Sequence, residues 1–446
     1  MIVATSHRDA KDTRTVRAES LLELNRFDSE FMESAYETYA GLREHERVAR
    51  VQLGASRAQD TETSGREFFG GGPAWFVTRY DDIIDSLLDS RFSVDLARSI
   101  QAPDGERSEV PEELRPISRS IISLDPPDHT RIRKLVQPSF TGRGMEAMRP
   151  RIQATVDDLL DRVEAEAAER GESPGNRRME LVSQFAYPFP VTVISDLLGI
   201  PQEDRQRIKG WTEYLLQVDQ RRDAAFDGQV RDGLRDFVAY LKDLFARKRE
   251  NPGDDMISRM VLIEDEGDKL TEEEAIATVF LMYLAGHVTT VNLIGNGVVA
   301  LLTHPEQLAK LQADPDLTKN AVEEILRYWG PIDFIARRTA TEDMEVAGTQ
   351  VHKGDEVAFG LASANHDPRR FTHPDEFDIT RPDANRHIAF GKGIHVCLGA
   401  PLARIEGRVA LETIVRRYPH LRLDESAANL QWSALFRGFR QISLLF

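Results

Sequence analysis

Phe390-Gly391-Lys392-Gly393-Ile394-His395-Val396-Cys397-Leu398-Gly399 contains the only cysteine of the 446-residue chain. A free cysteine is ordinarily a small buried hydrophobe, and its chemistry rather than its packing singles it out. Here the frame around the sulfur points to chemistry. Gly393 and Gly399 stand where backbone can take positive φ or approach a guest closely, and Phe390 adds an aromatic at a fixed offset. A flat cofactor suits such a loop. With Cys scarce and Gly about 7% of ordinary sequence, the spacing Phe-x-x-Gly-x-x-x-Cys-x-Gly arises by chance in such a chain on the order of once in several thousand.

The rest of the chain bounds what surrounds that loop. No Pro/Ser-rich linker, low-complexity tract or internal repeat divides residues 1–446, so one large domain is expected where length alone would give about three. Residues 1–20 carry Arg8, Asp9, Lys11, Asp12, Arg14, Arg17 and Glu19, and read as a loosely attached segment rather than a signal peptide or anchor. One cysteine rules out an intrachain disulfide and suits a reducing, cytoplasmic address. The net charge of −17 argues against nucleic acid and anionic membrane as partners. The apolar run Ala275 to Gly286 is too short to span a bilayer and reads as buried helix.

Helical signals dominate from about residue 115 onward. Thr271-Glu272-Glu273-Glu274 is a capping box that opens a long apolar helix, expected to run to about Leu302, where Thr303-His304-Pro305 stops it. Strand signals cluster at Ala74 to Thr78 and within Glu345 to Leu361, with Gln52 to Pro73 reading as a long polar excursion. Inside the long helix, Ala285-Gly286-His287-Val288-Thr289-Thr290 sets small residues one turn before hydroxyls, and 285, 288 and 289 share a face.

The cysteine loop, followed by Ala400-Pro401-Leu402-Ala403-Arg404, resembles the haem-binding loop of the cytochrome P450 family. The likeness spans roughly residues 74 to 446. It implies a mainly α fold with small β-sheets around a long central helix, and a haem b (iron protoporphyrin IX) whose axial ligand is the Cys397 thiolate, framed by Phe390, Gly393 and Gly399. By the same resemblance Ala285 and Gly286 line the oxygen-binding groove, and Thr289 matches the threonine that hydrogen-bonds bound oxygen. The preceding position usually holds Asp or Glu as a proton source; this chain has Val288.

Asp125-Pro126-Pro127-Asp128-His129-Thr130-Arg131-Ile132-Arg133 resembles a propionate-gripping segment through His129 and Arg133, with Arg338 and His387 as further matches. Glu324, Arg327 and Arg381 resemble the family's buried Glu-Arg-Arg cluster. Ile332, Phe334, Ile335, Leu435 and Phe436 are implied to face a largely apolar substrate.

The function implied is insertion of one oxygen atom from O2 into a fatty acyl chain, a macrolide-like molecule or another secondary metabolite. Electrons would come from a separate ferredoxin or flavodoxin with its NAD(P)H-dependent reductase, docking near Arg131, Lys134 and Lys392 on a monomer. Two alternatives stay open: a peroxide-driven peroxygenase or other atypical oxidative catalyst, which Val288 favours, and a haem sensor without turnover.

Overall fold

The computed structural model describes residues 21–25, 28–54, 72–95, 119–208, 210–211, 224–262, 264–265, 268–424, 430–432 and 436–446. Residues 1–20, Leu435 and most of the expected polar excursion lie outside them.

The central helix, Glu272–Thr303, forms as its sequence dictates. The Thr271 hydroxyl accepts the Glu274 N–H at 3.2 Å, while the Glu274 carboxylate accepts the Thr271 N–H at 2.9 Å. Two of the four amide groups a helix start leaves unsatisfied are thereby closed. The helix packs against Pro188–Leu198, Thr318–Trp329 and Ala400–Arg417, and its side chains are buried on nearly every face. Gly297 allows the closest approach: a Cβ there would stand 2.9 Å from Ile325 Cδ1 and 3.3 Å from Leu411 Cδ1. By length and composition the helix could cross a bilayer, yet 67% of its most apolar window is buried inside the protein. Each Leu, Ile or Val hidden this way contributes about 1.5–3 kcal/mol, and Gly297→Val would force the three helices apart.

A six-stranded sheet stands beside this helical core, ordered Leu22–Leu24, Val48–Leu53, Gly72–Val77, Glu356–Phe359, Ile335–Ala340 and Phe92–Ser93. Side chains alternate between its faces as strand geometry requires. Val357 and Phe359 join Val77 on one face, and Ala358 joins Phe76 on the other. The expected strands appear as Gly72–Val77, Met344–Val346, Thr349–Val351 and Glu356–Phe359. Val48–Leu53 and Ile335–Ala340 form two strands beyond those expected, so Gln52 belongs to the sheet and not to a loop. A smaller sheet joins Arg178–Glu180, Ser443–Leu445 and Arg422–Leu423. The fold is mainly α with small sheets.

Candidate functional site

The cysteine loop is built by its glycines. Gly391 and Gly393 adopt φ of 71° and 75°, and a Cβ at Gly393 would collide with the Leu87 carbonyl at 2.5 Å. The Cys397 N–H donates to Phe390 O at 2.9 Å, closing the loop just before the helix Ala400–Arg417. Arg404, one turn into that helix, stacks its guanidinium 4.6 Å over the Phe390 ring. Cys397 keeps open surface on one side. Crowding on its other sides pushes the thiol up, against the N–H groups of Gly399 and Ala400 and the cations of Arg133 and Arg404, which pull it down. Those donors and charges stabilise a thiolate.

Between Glu274 and Leu301 the central helix shows one exposed residue, Ala285, flanked by half-buried Gly286, Val288 and Thr289. This turn is the most open part of that stretch. The Thr289 hydroxyl donates to Ala285 O at 2.9 Å. A Cβ on Gly286 would meet Ile194 Cδ1 at 3.2 Å, so this glycine serves the packing of Pro188–Leu198. His287 turns inward instead, with its Nδ1 2.6 Å from Tyr283 O, and burial pushes it down to about 4. Beneath the same turn the Glu406 carboxylate lies 3.4 Å from the Thr290 hydroxyl, and burial pushes it well above the usual carboxylate range.

Four basic side chains from three segments converge beside the loop. His129 is 2% exposed, and neither of its ring nitrogens has a partner. Its ring centroid lies 4.4 Å from that of His395. Arg133 donates to Val396 O at 2.9 Å. Burial pushes Arg338 down to about 10, opposed by Asp125 and Glu356. His395 falls to about 3, through burial and then the charges of Arg338, His129 and Arg133. Two orphaned buried nitrogens among cations that disfavour one another call for an anion. The set fits the two carboxylates of a haem.

His395 occupies the place in this cluster that the resemblance implies for His387. The reason is local bonding. His387 Nε2 lies 3.1 Å from Glu323 Oε2, and its Nδ1 accepts the Ala389 N–H at 3.1 Å, so both nitrogens are spent. Arg404 adds two bonds to Glu323, at 2.7 and 2.9 Å. Burial would raise the Glu323 carboxyl, but these donors outweigh it and hold it at about 2.

Glu324, Arg327 and Arg381 do meet. The Glu324 carboxylate accepts from Arg327 Nε and Nη2 at 2.7 and 2.8 Å, and from Arg381 Nε at 3.1 Å. Among the pocket candidates, Ile332 and Ile335 pack on the sheet face that adjoins the cysteine loop, and Phe436 is half-buried. Phe334 is a correction: it is 3% exposed on the opposite face, edge-on to Phe76 at 5.8 Å. Arg131, expected at a docking surface, is instead bound to Glu274 and to Lys269 O, tying it to the start of the central helix.

The family model described as cytochrome P450 matches residues 96–435. Cytochrome P450 CYP107DY1 of Priestia megaterium is 39% identical over 390 residues, covering 85% of this chain and 91% of the relative. The 6-deoxyerythronolide B hydroxylase of Saccharopolyspora erythraea is 38% identical over 410 residues, covering 90% and 94%. Among solved structures, the myxobacterial cytochrome P450 CYP267B1 in complex with myristic acid has a TM-score of 0.81 at 38% identity, covering 94% of this chain and 98% of that one. The chain belongs to the cytochrome P450 family, and is an oxidoreductase that incorporates oxygen, of a family whose members carry haem.

Proposed function

We propose that the protein is a haem b monooxygenase in which Cys397 ligates iron and His129, Arg133, Arg338 and His395 hold the propionates. The observation that carries this is the pair of partnerless His129 nitrogens inside a cationic cluster next to the one cysteine. The bound cofactor supplies oxygen activation: substrate C–H, O2, two electrons and two protons become C–OH and water. Burial alone favours the neutral thiol, so the N–H groups of Gly399 and Ala400 and the cations of Arg133 and Arg404 are the groups that would offset it and favour the thiolate an iron ligand requires. Phe390 and Leu398 pack the loop against the apolar core.

Thr289 Oγ1, one turn beyond exposed Ala285, is the proton-bearing atom at the opening. Val288 carries no proton, so Thr289 draws on ordered water or a substrate hydroxyl. Ile332, Ile335 and Phe436 favour an apolar substrate, and the relative named as a 6-deoxyerythronolide B hydroxylase and the similar structure solved in complex with myristic acid support a macrolide-like or fatty acyl molecule. Electrons come from a separate ferredoxin or flavodoxin with its NAD(P)H-dependent reductase, serving a cytoplasmic, monomeric, single-domain enzyme. Val288 favours one second reading, turnover driven by hydrogen peroxide.

The test is the reduced carbon monoxide difference spectrum of wild type and Cys397→Ser. A red-shifted thiolate band in wild type, lost in the variant, is expected. A wild-type band typical of histidine ligation would overturn the assignment.

A further inference from the structure

We propose that Asp333 and Arg437 are positioning residues for substrate, a buried ion pair that sets the spacing of two pocket walls. Resting on the reading of Ile332 and Phe436 as those walls, the assignment follows from where the pair sits. Asp333 directly follows Ile332 on the way into the strand Ile335–Ala340, and Arg437 directly follows Phe436 near the C-terminus. Although 104 positions apart, they meet in a two-bond fork, Arg437 Nε to Asp333 Oδ1 at 2.7 Å and Nη2 to Oδ2 at 2.8 Å. Their side chains are 1% and 3% exposed.

Everything around the fork fixes it further. The Arg437 N–H donates to Pro331 O at 2.9 Å, and Arg437 Nη1 donates to Met32 O at 3.3 Å. The Tyr39 hydroxyl donates to Asp333 Oδ2 at 3.2 Å. The guanidinium lies over the rings of Tyr36 and Trp432, at 4.5 and 4.8 Å. Arg437 O accepts Asn296 Nδ2 of the central helix at 3.0 Å. At the next residue, Gly438, a Cβ would stand 2.1 Å from Asn292 Oδ1, so the segment lies flat on that helix.

An apolar pair of similar volume would often stabilise a core as well or better. What a planar guanidinium–carboxylate fork adds is one distance and one orientation. Each fork residue is bonded covalently to a wall residue, so any change in the fork moves Ile332 relative to Phe436.

The experiment uses the holoenzyme and three variants: Arg437→Lys, Asp333→Asn and the charge-free double variant Asp333→Leu/Arg437→Met. Thermal midpoint, imidazole affinity and the affinity for a bulky N-aryl imidazole are measured by optical titration. Imidazole reports only the iron site, whereas the bulky ligand also needs the walls. Pocket changes of about one methylene alter discrimination roughly 10- to 200-fold, so the ratio of the two affinities should move at least about tenfold while imidazole binding stays near wild type. An unchanged ratio in the folded variants, whatever their thermal midpoints, would reduce the pair to a structural brace and overturn the proposal. A wild type without a thiolate carbon monoxide band refutes the functional reading itself, and is seen before any variant is made.

Discussion

Replacing Glu324 by Gln removes a single negative charge from beneath two guanidinium groups. The Glu324 and Arg327 side chains are 0% exposed and that of Arg381 is 7% exposed. The carboxylate also accepts the Asp378 N–H at 3.0 Å. Gln keeps the shape and one acceptor oxygen, so the loss is chiefly electrostatic. Uncompensating a buried charge this way costs about 3–5 kcal/mol. The usual remedy, making every partner apolar, should fail here. Arg327 donates to the carbonyls of Asn365, Pro374 and Glu376, and Arg381 to those of Thr372, His373 and Glu376. In Glu324→Leu/Arg327→Met/Arg381→Met those carbonyls lose their donors, at about 1–3 kcal/mol for each that stays buried. Urea titration followed by tryptophan fluorescence, with limited proteolysis of the 365–376 segment, measures both effects. A triple variant as stable as wild type would refute the carbonyl argument, and a Glu324→Gln variant within about 1 kcal/mol of wild type would refute the charge argument.

Arg133→Ala/Arg338→Ala and, separately, His395→Ala should speed haem transfer to apomyoglobin by tenfold or more, since an unpaired buried carboxylate costs several kcal/mol; unchanged transfer rates would remove these residues from the propionate site. His287 stays neutral until about pH 4 when folded but takes a proton near 6.5 when unfolded. Its contribution to stability is therefore complete above pH 6.5 and falls by about 1.4 kcal/mol per unit as pH drops toward 4. His287→Phe should flatten that part of a urea-stability profile, and an unaltered slope would contradict the assignment. Val288→Glu should raise product formed per NAD(P)H toward its ceiling of one on a substrate lacking a hydroxyl, because general acid assistance speeds a protonation step by roughly 10²–10⁴-fold. Equal coupling in wild type and variant would make Val288 a pocket residue only.

Local signals were legible and long-range parity was not. Thr271 and Glu274 are three apart, so the start of the central helix could be read directly, as could the Gly-framed cysteine. Glu324 and Arg327 share one helix turn, but their meeting with Arg381 came from motif order. His387 and His395 were not separable by residue type. What decides between them is Glu323, 64 positions before His387, which occupies its ring. One signal did favour His395: it lies inside the loop, two residues from the sulfur. Phe334 and Ile335 differ by one position in a stretch entering a strand, and one position exchanges the two faces of a sheet. The run Ile335-Ala336-Arg337-Arg338-Thr339-Ala340 has no apolar alternation to announce which face is inward.

The burial of the central helix has a consequence for synthesis on the ribosome. A 32-residue helix apolar enough to cross a bilayer is complete at Thr303, but one of the helices that cover it begins only at Ala400. At translation speeds of about 5–20 residues per second, the intervening hundred or so residues take roughly 5–20 s. Throughout that interval the nascent chain carries a greasy, bilayer-length segment with an uncovered flank. Productive folding is thus a race between the emerging C-terminal third and whatever else binds such a segment, be it a chaperone, a targeting factor or another unfinished copy.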